Sequence, residues 1–108
     1  MKIQVPQTEE EVFHKQVVKL YSTFTDLSKY EQTLITTMLD KDIKELNTET
    51  RKQIRELIDT DIYTFNNYIS KLKSNNTLYQ DDEVLKINPN IYRIINDKEL
   101  TIKFNVVK

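Results

Sequence analysis

The stretch that decides the fold is TETRKQIRELIDTDIYTFNNYISKLKSNNTLYQDDEVLKINP, residues 48–89. Apolar residues at helical spacing predict two helices over residues 50–57 and 62–74, joined by a four-residue turn. Short apolar runs at residues 77–79 and 84–87 flank an acidic turn and predict a β-hairpin. The order helix, turn, helix, hairpin therefore organises this part of the chain.

The second of these helices has two chemically different faces. Its apolar residues recur at helical spacing and predict a buried stripe, formed by Ile62, Phe65, Ile69 and Leu72. Its opposite face carries side chains that can hydrogen-bond base edges or phosphates, namely Tyr63, Asn67, Ser70 and Lys71. Such a helix can pack on a core and still present a polar surface to a ligand.

Length and composition restrict the class of protein. A chain of 108 residues with 38% hydrophobic and 31% charged residues is expected to fold as one globular domain. No apolar run reaches the roughly 18 residues that a membrane span needs. The first residues are too few and too polar for a signal peptide. The absence of cysteine excludes disulfides and thiolate metal sites, and it fits a cytoplasmic location.

Glycine and alanine are both absent, whereas Ile, Lys and Asn, which have AT-rich codons, are abundant. This bias points to an AT-rich genome, such as that of a phage, a plasmid or a low-GC bacterium. It also means that a tight turn with a positive φ must use Asn or Asp. Gly-rich phosphate-binding loops are excluded.

The net charge of −1 argues against a protein that depends on many phosphate contacts. The charge is unevenly distributed along the chain, however. Residues 51–75 hold five basic and three acidic side chains, whereas residues 1–50 hold six basic and nine acidic ones. The small local excess of positive charge falls where a DNA-reading pair of helices would need it.

Capping signals predict helices before this stretch. Thr8 with Glu11 has the spacing of a capping box and opens an N-terminal helix over residues 8–24. Ser28 with Glu31 has the same spacing and opens a second helix. The apolar positions of the first helix are Val12, Phe13, Val17, Leu20, Tyr21 and Phe24, and the second helix is predicted to bury Leu34, Ile35, Met38 and Leu39.

Further signals lie at both ends of the chain. Asn47 or Thr48 is predicted to cap the helix that follows, which would bury Ile54, Leu57 and Ile58. Asn88-Pro89 is predicted to open a short helical turn. Clean alternation over residues 100–107 predicts a half-buried C-terminal strand. We expect this strand to pair with residues 2–5, either within a protomer or across a two-fold axis.

The sequence offers no catalytic or metal-binding constellation. His14 is the only histidine, and it is predicted to lie on the surface of the first helix, off its apolar face, as is Val18. Nucleophilic catalysis needs a Cys, or a Ser with a His and an orienting acid, and no such motif is present. Metal-ligand spacing is also absent. We therefore expect no enzyme, no cofactor and no metal ion.

Residues 25–92 resemble the winged helix-turn-helix domains of small phage and plasmid replication or transcription proteins. The resemblance rests on TFNNYISKL at residues 64–72, a hairpin, and INPNI at residues 87–91. It implies a mainly α fold with a small β wing (α+β), with the helix-turn-helix over residues 48–74 and the wing over residues 77–88. In that family the second helix of the pair enters the major groove and the wing touches the DNA backbone.

Two features depart from that family. The turn between the helices usually contains a glycine, and here Asp59 takes its place. The wing tip is usually basic, and here it is Asp81-Asp82-Glu83. Three acids would repel phosphate, which argues against a contact between the wing and DNA.

These patterns give a set of candidate DNA contacts. In the second helix of the pair they are Tyr63, Thr64, Asn66, Asn67, Ser70, Lys71 and Lys73, with Asn67 as a candidate adenine reader. In the preceding helix, Lys52 and Arg55 are predicted to contact the DNA backbone. Each of them also has an ordinary interpretation as solvated surface. Tyr68 is assigned to the edge of the core, and Arg51 to the buried side of its helix, where an acid could pair with it.

Two functions of different classes stay open at this point. The first is a phage- or plasmid-encoded regulator of transcription or replication that binds double-stranded DNA as a dimer in the bacterial cytoplasm. The second is a non-catalytic protein-protein adaptor or virion-associated protein, which would turn its acidic tip toward a basic partner. A continuous positive surface around Lys52, Arg55, Tyr63, Asn67 and Lys71 would favour DNA, and a neutral or apolar one would favour the adaptor.

Overall fold

Helices dominate the computed structural model, which describes residues 9–96. Its elements in chain order are α1 (Glu9–Thr25), α2 (Lys29–Asp40), β1 (Glu45–Leu46), α3 (Thr48–Leu57), α4 (Ile62–Ser74), β2 (Leu78–Asp81), β3 (Val84–Ile87) and α5 (Pro89–Asn96). The expected mainly α fold of the α+β class is confirmed, with five helices and one three-stranded antiparallel sheet among the described residues. The strands predicted over residues 2–5 and 100–107, and the cap predicted at Thr8, lie outside those residues.

Local hydrogen bonds determine where the helices begin. The predicted capping box at α2 is confirmed: the Glu31 amide donates to Ser28 Oγ over 3.2 Å, and the Ser28 amide donates to Glu31 Oε1 over 2.9 Å. Glu31 is buried, and this reciprocal bond satisfies its carboxylate. Asn47 caps α3 in the same way, with Thr50 as its partner. Caps of this kind satisfy amides that the first helical turn would leave unpaired.

The turns confirm the expectation that follows from a chain without glycine. Every described residue with a positive φ is an aspartate or an asparagine: Asp26, Asp42, Asp59, Asn76 and Asp82, with φ between 53° and 63°. These residues tolerate the left-handed region better than other side chains because their short polar groups can bond to the nearby backbone. Four of the five lie just after a helix, and Asp82 lies at the tip of the β2–β3 hairpin.

The sheet contains a strand that the sequence analysis missed. β1 has only two residues and pairs antiparallel with β3, with Leu46 opposite Leu85, so that the strand order is β1-β3-β2. Two residues are too few for alternation to be detected. The pairing matters because β1 directly precedes α3 and therefore attaches the hairpin beside the start of that helix.

The buried face of α1 does not coincide with its predicted apolar stripe. Val18, which the sequence placed off the apolar face, is buried, whereas Phe24, which was assigned to that face, is 80% exposed and Val12 is also exposed. The reason is that α1 packs against both α2 and α5, so its buried face is set by two neighbours. The core combines residues from all the longer elements, including Val17, Leu34, Ile35, Met38, Leu46, Ile54, Phe65, Leu72, Leu85 and Ile91.

Fewer of the apolar residues of α3 and α4 are buried than the helical periodicity predicts. In α4, Phe65 and Ile69 are buried with Leu72, as the periodicity indicates, but Ile62 is 51% exposed. In α3, Ile54 is fully buried, whereas Leu57 is half exposed. Leu57 and Ile62 flank the turn between these helices, whereas Ile58, inside the turn, packs against the core.

His14 was predicted to be a surface residue, and this prediction was wrong. Its side chain is buried, and its Nδ1 donates to Asp40 Oδ1 over 2.8 Å. Its Nε2 lies 3.9 Å from the exposed carboxylate of Glu10, one helical turn earlier. The imidazole therefore connects α1 to the last residue of α2 (Asp40), a contact that helical periodicity cannot reveal because it depends on a distant part of the chain.

Replacing Asp40 by Ala is expected to destabilise the protein by about 1–3 kcal/mol, because it leaves a buried imidazole nitrogen without an acceptor. Urea unfolding at constant pH measures this change. Lys41→Ala is the matched control, since Lys41 is the exposed neighbour, and its effect should stay within about 0.5 kcal/mol. Equal unfolding midpoints for the two variants would show that the His14–Asp40 bond does not stabilise the fold.

Candidate nucleic-acid interface

A four-residue turn sets the direction of α4 relative to α3. After α3 ends at Leu57, Asp59 adopts a φ of 53° and its amide donates to the Glu56 carbonyl over 3.2 Å. The Thr60 amide donates to the Arg55 carbonyl over 3.2 Å, which closes the end of α3. Asp59 thus takes the place that a glycine usually has in such a turn, as the sequence indicated.

Asp61 begins α4 and engages one of the predicted DNA contacts. Its Oδ1 accepts the Thr64 amide over 2.7 Å, and its Oδ2 accepts the Thr64 hydroxyl over 3.1 Å. The bonds from Thr64 hold the pKa of Asp61 below its usual value. Thr64 is half-buried and its hydroxyl is already used in this cap, so it is a helix-capping partner in this structure rather than an open ligand-binding group.

The outward face of α4 carries three of the other predicted contacts. Tyr63 is 81% exposed, and Asn67 and Ser70 are also exposed. Phe65 and Ile69 lie on the opposite face and attach the helix to the core. The outward face is therefore polar and accessible, and its backbone is held by a buried stripe.

A groove of about 500 Å³ lies beside this face, between α3, α4 and the hairpin tip. We call it the α3–α4 groove. Its residues come from the end of β1, from α3 and its cap, from α4 and from the tip, and they are Leu46, Asn47, Thr48, Arg51, Lys52, Arg55, Ile62, Phe65, Asn66 and Glu83. The groove thus brings together Lys52, Arg55 and Asn66, which were predicted as contacts from two different helices.

Three basic side chains line the groove from α3. Arg51 and Arg55 are half-buried and lie one helical turn apart, and Lys52 is exposed. Within residues 9–96, none of the three forms an ion pair. Arg51 had been assigned to the buried side of its helix and a pairing with an acid. The four-residue spacing of Arg51 and Arg55 is the sequence signal that could have assigned both to one side of the groove.

Two predicted lysines lie elsewhere. Lys71 lines a different groove, between α2 and α4, together with Asp26 and Glu31. Lys73 is exposed near the end of α4 and lines neither groove. The structure therefore does not bring Lys71 and Lys73 together with Lys52 and Arg55. Tyr68, which had been assigned to the core edge, stacks on Tyr30 with ring centres 6.0 Å apart and packs against the core.

The hairpin tip is acidic, but its three acids have different surroundings. Asp81 Oδ2 lies 2.8 Å from Lys86 Nζ across the hairpin, and this bond raises the pKa of Lys86. Asp82 occupies the turn, where its carbonyl accepts a bond from Gln80 Nε2 over 2.8 Å. Glu83 is exposed and is the acid that lines the α3–α4 groove.

Other kinds of site are not found in the described part of the chain. Residues 9–96 contain no cluster of three His, Cys, Asp or Glu side chains suited to a metal ion. None of the helices described is long and apolar enough to cross a membrane. Comparison with protein-family models, curated proteins and solved structures finds no match for this chain. The α3–α4 groove therefore has to be interpreted from its own chemistry.

Proposed function

We propose that this protein is a DNA-binding protein of the winged-helix type, in which α4 contacts base edges and the α3–α4 groove holds the phosphate backbone. The observation that carries the proposal is the set of cations Arg51, Lys52 and Arg55 in one groove beside Asn66, none of which forms an ion pair within residues 9–96. Guanidinium groups bind phosphate oxygens in bidentate geometry, and asparagine pairs with adenine in the major groove. The two chemistries that DNA recognition needs, backbone positioning and base reading, are thus adjacent.

The order of the elements supports the same proposal. α3, its four-residue turn, α4 and the β2–β3 hairpin follow one another as the resemblance to winged helix-turn-helix domains requires. In this proposal the protein regulates transcription or replication by occupying DNA, and a dimer reads two half-sites. Because Asp82 and Glu83 at the hairpin tip would repel phosphate, the contacts to the DNA backbone come from α3 and not from the hairpin.

A specific observation also favours the adaptor as a second candidate. Leu57, Ile62 and Tyr63 are exposed around the α3–α4 turn, and exposed aromatic and aliphatic side chains are common in protein interfaces. The acidic tip would then meet a basic protein. This candidate predicts no measurable affinity for DNA and no effect of the groove cations on partner binding.

Binding to double-stranded DNA should be weak and dependent on salt. Three groove cations provide about three phosphate contacts per protomer, so the slope of log K against log salt should lie near −2.7. Monomeric affinity for random duplex should lie near the weak end of the non-specific range, at about 10⁻⁴ M. Fluorescence anisotropy with a labelled random duplex, from about 50 to 200 mM salt, measures both quantities.

Three outcomes of this titration are informative. A shallow negative slope with weak affinity supports the proposal. Nanomolar affinity of a monomer for random duplex would contradict it, because three contacts cannot supply that much free energy without sequence reading. Absence of binding at millimolar protein concentration would reject DNA as the partner and leave the adaptor.

A further inference from the structure

Glu83 is the acid that lines the α3–α4 groove, and its position is held by the hairpin. Asp81 pairs with Val84 in the ladder, so that Asp82 and Glu83 form the two-residue turn of the hairpin. The Asp81–Lys86 ion pair and the bond from Gln80 to the Asp82 carbonyl hold the tip on both sides. β3 is also paired with β1, which leads directly into α3. The hairpin therefore presents Glu83 to the groove from a supported strand pair.

This arrangement places one carboxylate among three cations without joining it to any of them. Glu83 shares the groove with Arg51, Lys52 and Arg55, yet no pair among these four residues approaches within ion-pair distance. The other two acids of the tip do not line this groove. Asp81 is paired with Lys86, and Asp82 occupies the turn with a positive φ.

A negative charge at this place acts against an anionic ligand. It attracts the groove cations when no ligand is bound, and it repels a phosphate that enters between them. Both effects weaken the binding of any phosphodiester backbone, whatever its sequence. A site that must discriminate among DNA sequences benefits from such a penalty, because non-specific phosphate contacts are what it has to suppress.

We infer that Glu83 is an intramolecular competitor of DNA phosphate in the α3–α4 groove, and that it limits the affinity of the protein for non-specific DNA. The inference rests on the proposed function, since it concerns the same groove. It assigns a regulatory role to Glu83, a negative charge that would otherwise only oppose the binding of phosphate in this groove. A ligand or partner that engages Glu83 would relieve the competition and strengthen DNA binding.

The test compares Glu83→Gln with Asp82→Asn in the full chain. Both variants remove one negative charge from the same tip, both keep the size of the side chain, and asparagine tolerates the positive φ of residue 82. Glu83→Gln should bind a labelled random duplex about 3- to 30-fold more tightly than the unaltered protein at low salt. Asp82→Asn should give a clearly smaller gain, because Asp82 does not line the groove in which the phosphate is bound.

A second comparison shows whether the gain in DNA affinity from Glu83→Gln depends on the cations of the α3–α4 groove. The gain from Glu83→Gln should be smaller when Arg55→Ala is also present, since Glu83 then competes for fewer cations in the groove. Equal gains from Glu83→Gln and Asp82→Asn would overturn the inference, because net charge alone would then explain both. If the unaltered protein, Arg55→Ala and Glu83→Gln all fail to bind duplex, the proposed function fails and the inference fails with it. Far-UV circular dichroism confirms that each variant is folded.

Discussion

Phe65→Ala is expected to lower the free energy of unfolding by about 3–5 kcal/mol, the range for deleting a buried aromatic side chain. Phe65 is 2% exposed and belongs to the core that joins α4 to the rest of the protein. Small domains have total stabilities of about 5–15 kcal/mol, so this loss is a large part of the whole. Urea unfolding followed by circular dichroism measures it.

Ile62→Ala is the matched control for this result. Ile62 belongs to the same predicted stripe of α4, but it is 51% exposed, so its truncation should cost less than about 1 kcal/mol. Should Phe65→Ala prevent folding altogether, Phe65→Leu gives a measurable loss, expected near 1.5 kcal/mol. Similar losses for Ile62→Ala and Phe65→Ala would mean that α4 packs with its whole apolar stripe, contrary to this structure.

If the proposed function holds, Arg55→Glu is expected to reduce the affinity for double-stranded DNA by about 100-fold at low salt, because a half-buried cation of the α3–α4 groove is replaced by a charge that repels phosphate. The loss should be the same for all sequences. Lys19→Glu makes the same change of charge on α1, outside the α3–α4 groove, and should have a much smaller effect. Comparable losses for these two variants would show that the groove is not the DNA-binding surface.

Asn67→Ala tests base reading, whereas Arg55→Glu tests the contacts to phosphate. As a base contact, Asn67 should supply discrimination of about 1–3 kcal/mol at one position of the site. Its loss should leave the affinity for random duplex nearly unchanged and flatten the preference at that position. Sequencing of duplexes that each variant selects from a random pool measures this preference. An unchanged preference with Asn67→Ala would move base reading to Tyr63 or Asn66, its exposed neighbours on α4.

Local chemistry made much of the fold predictable. Ser28 and Glu31 are bonded across three residues, so their spacing alone was enough to locate the start of α2. For α3 the sequence left Asn47 and Thr48 as alternative caps, and the structure has Asn47 in that role. The absence of glycine restricted the positive-φ positions to Asp and Asn for a similarly local reason. The hairpin was also detectable, because its two strands adjoin in the chain.

The candidate site was only partly predictable. Lys52, Arg55 and Asn66 were proposed from helical faces, and they do line one groove. Lys71 was assigned to the same surface, yet it lies on the α2 side of α4. A helical wheel gives the angle of a side chain around its own axis, but it does not say which neighbouring helix lies at that angle.

The sequence by itself determined the start of α2, the residue types of the positive-φ turns and the polar outward face of α4, because each depends on residues a few positions apart. Tertiary structure alone decided that His14 and Val18 are buried, since α1 is covered on two sides by α2 and α5. It also decided that Glu83 and the cations of α3 line one groove. This juxtaposition depends on β1, a strand of two residues, which pairs with β3 and brings the hairpin beside a helix far from it in the chain.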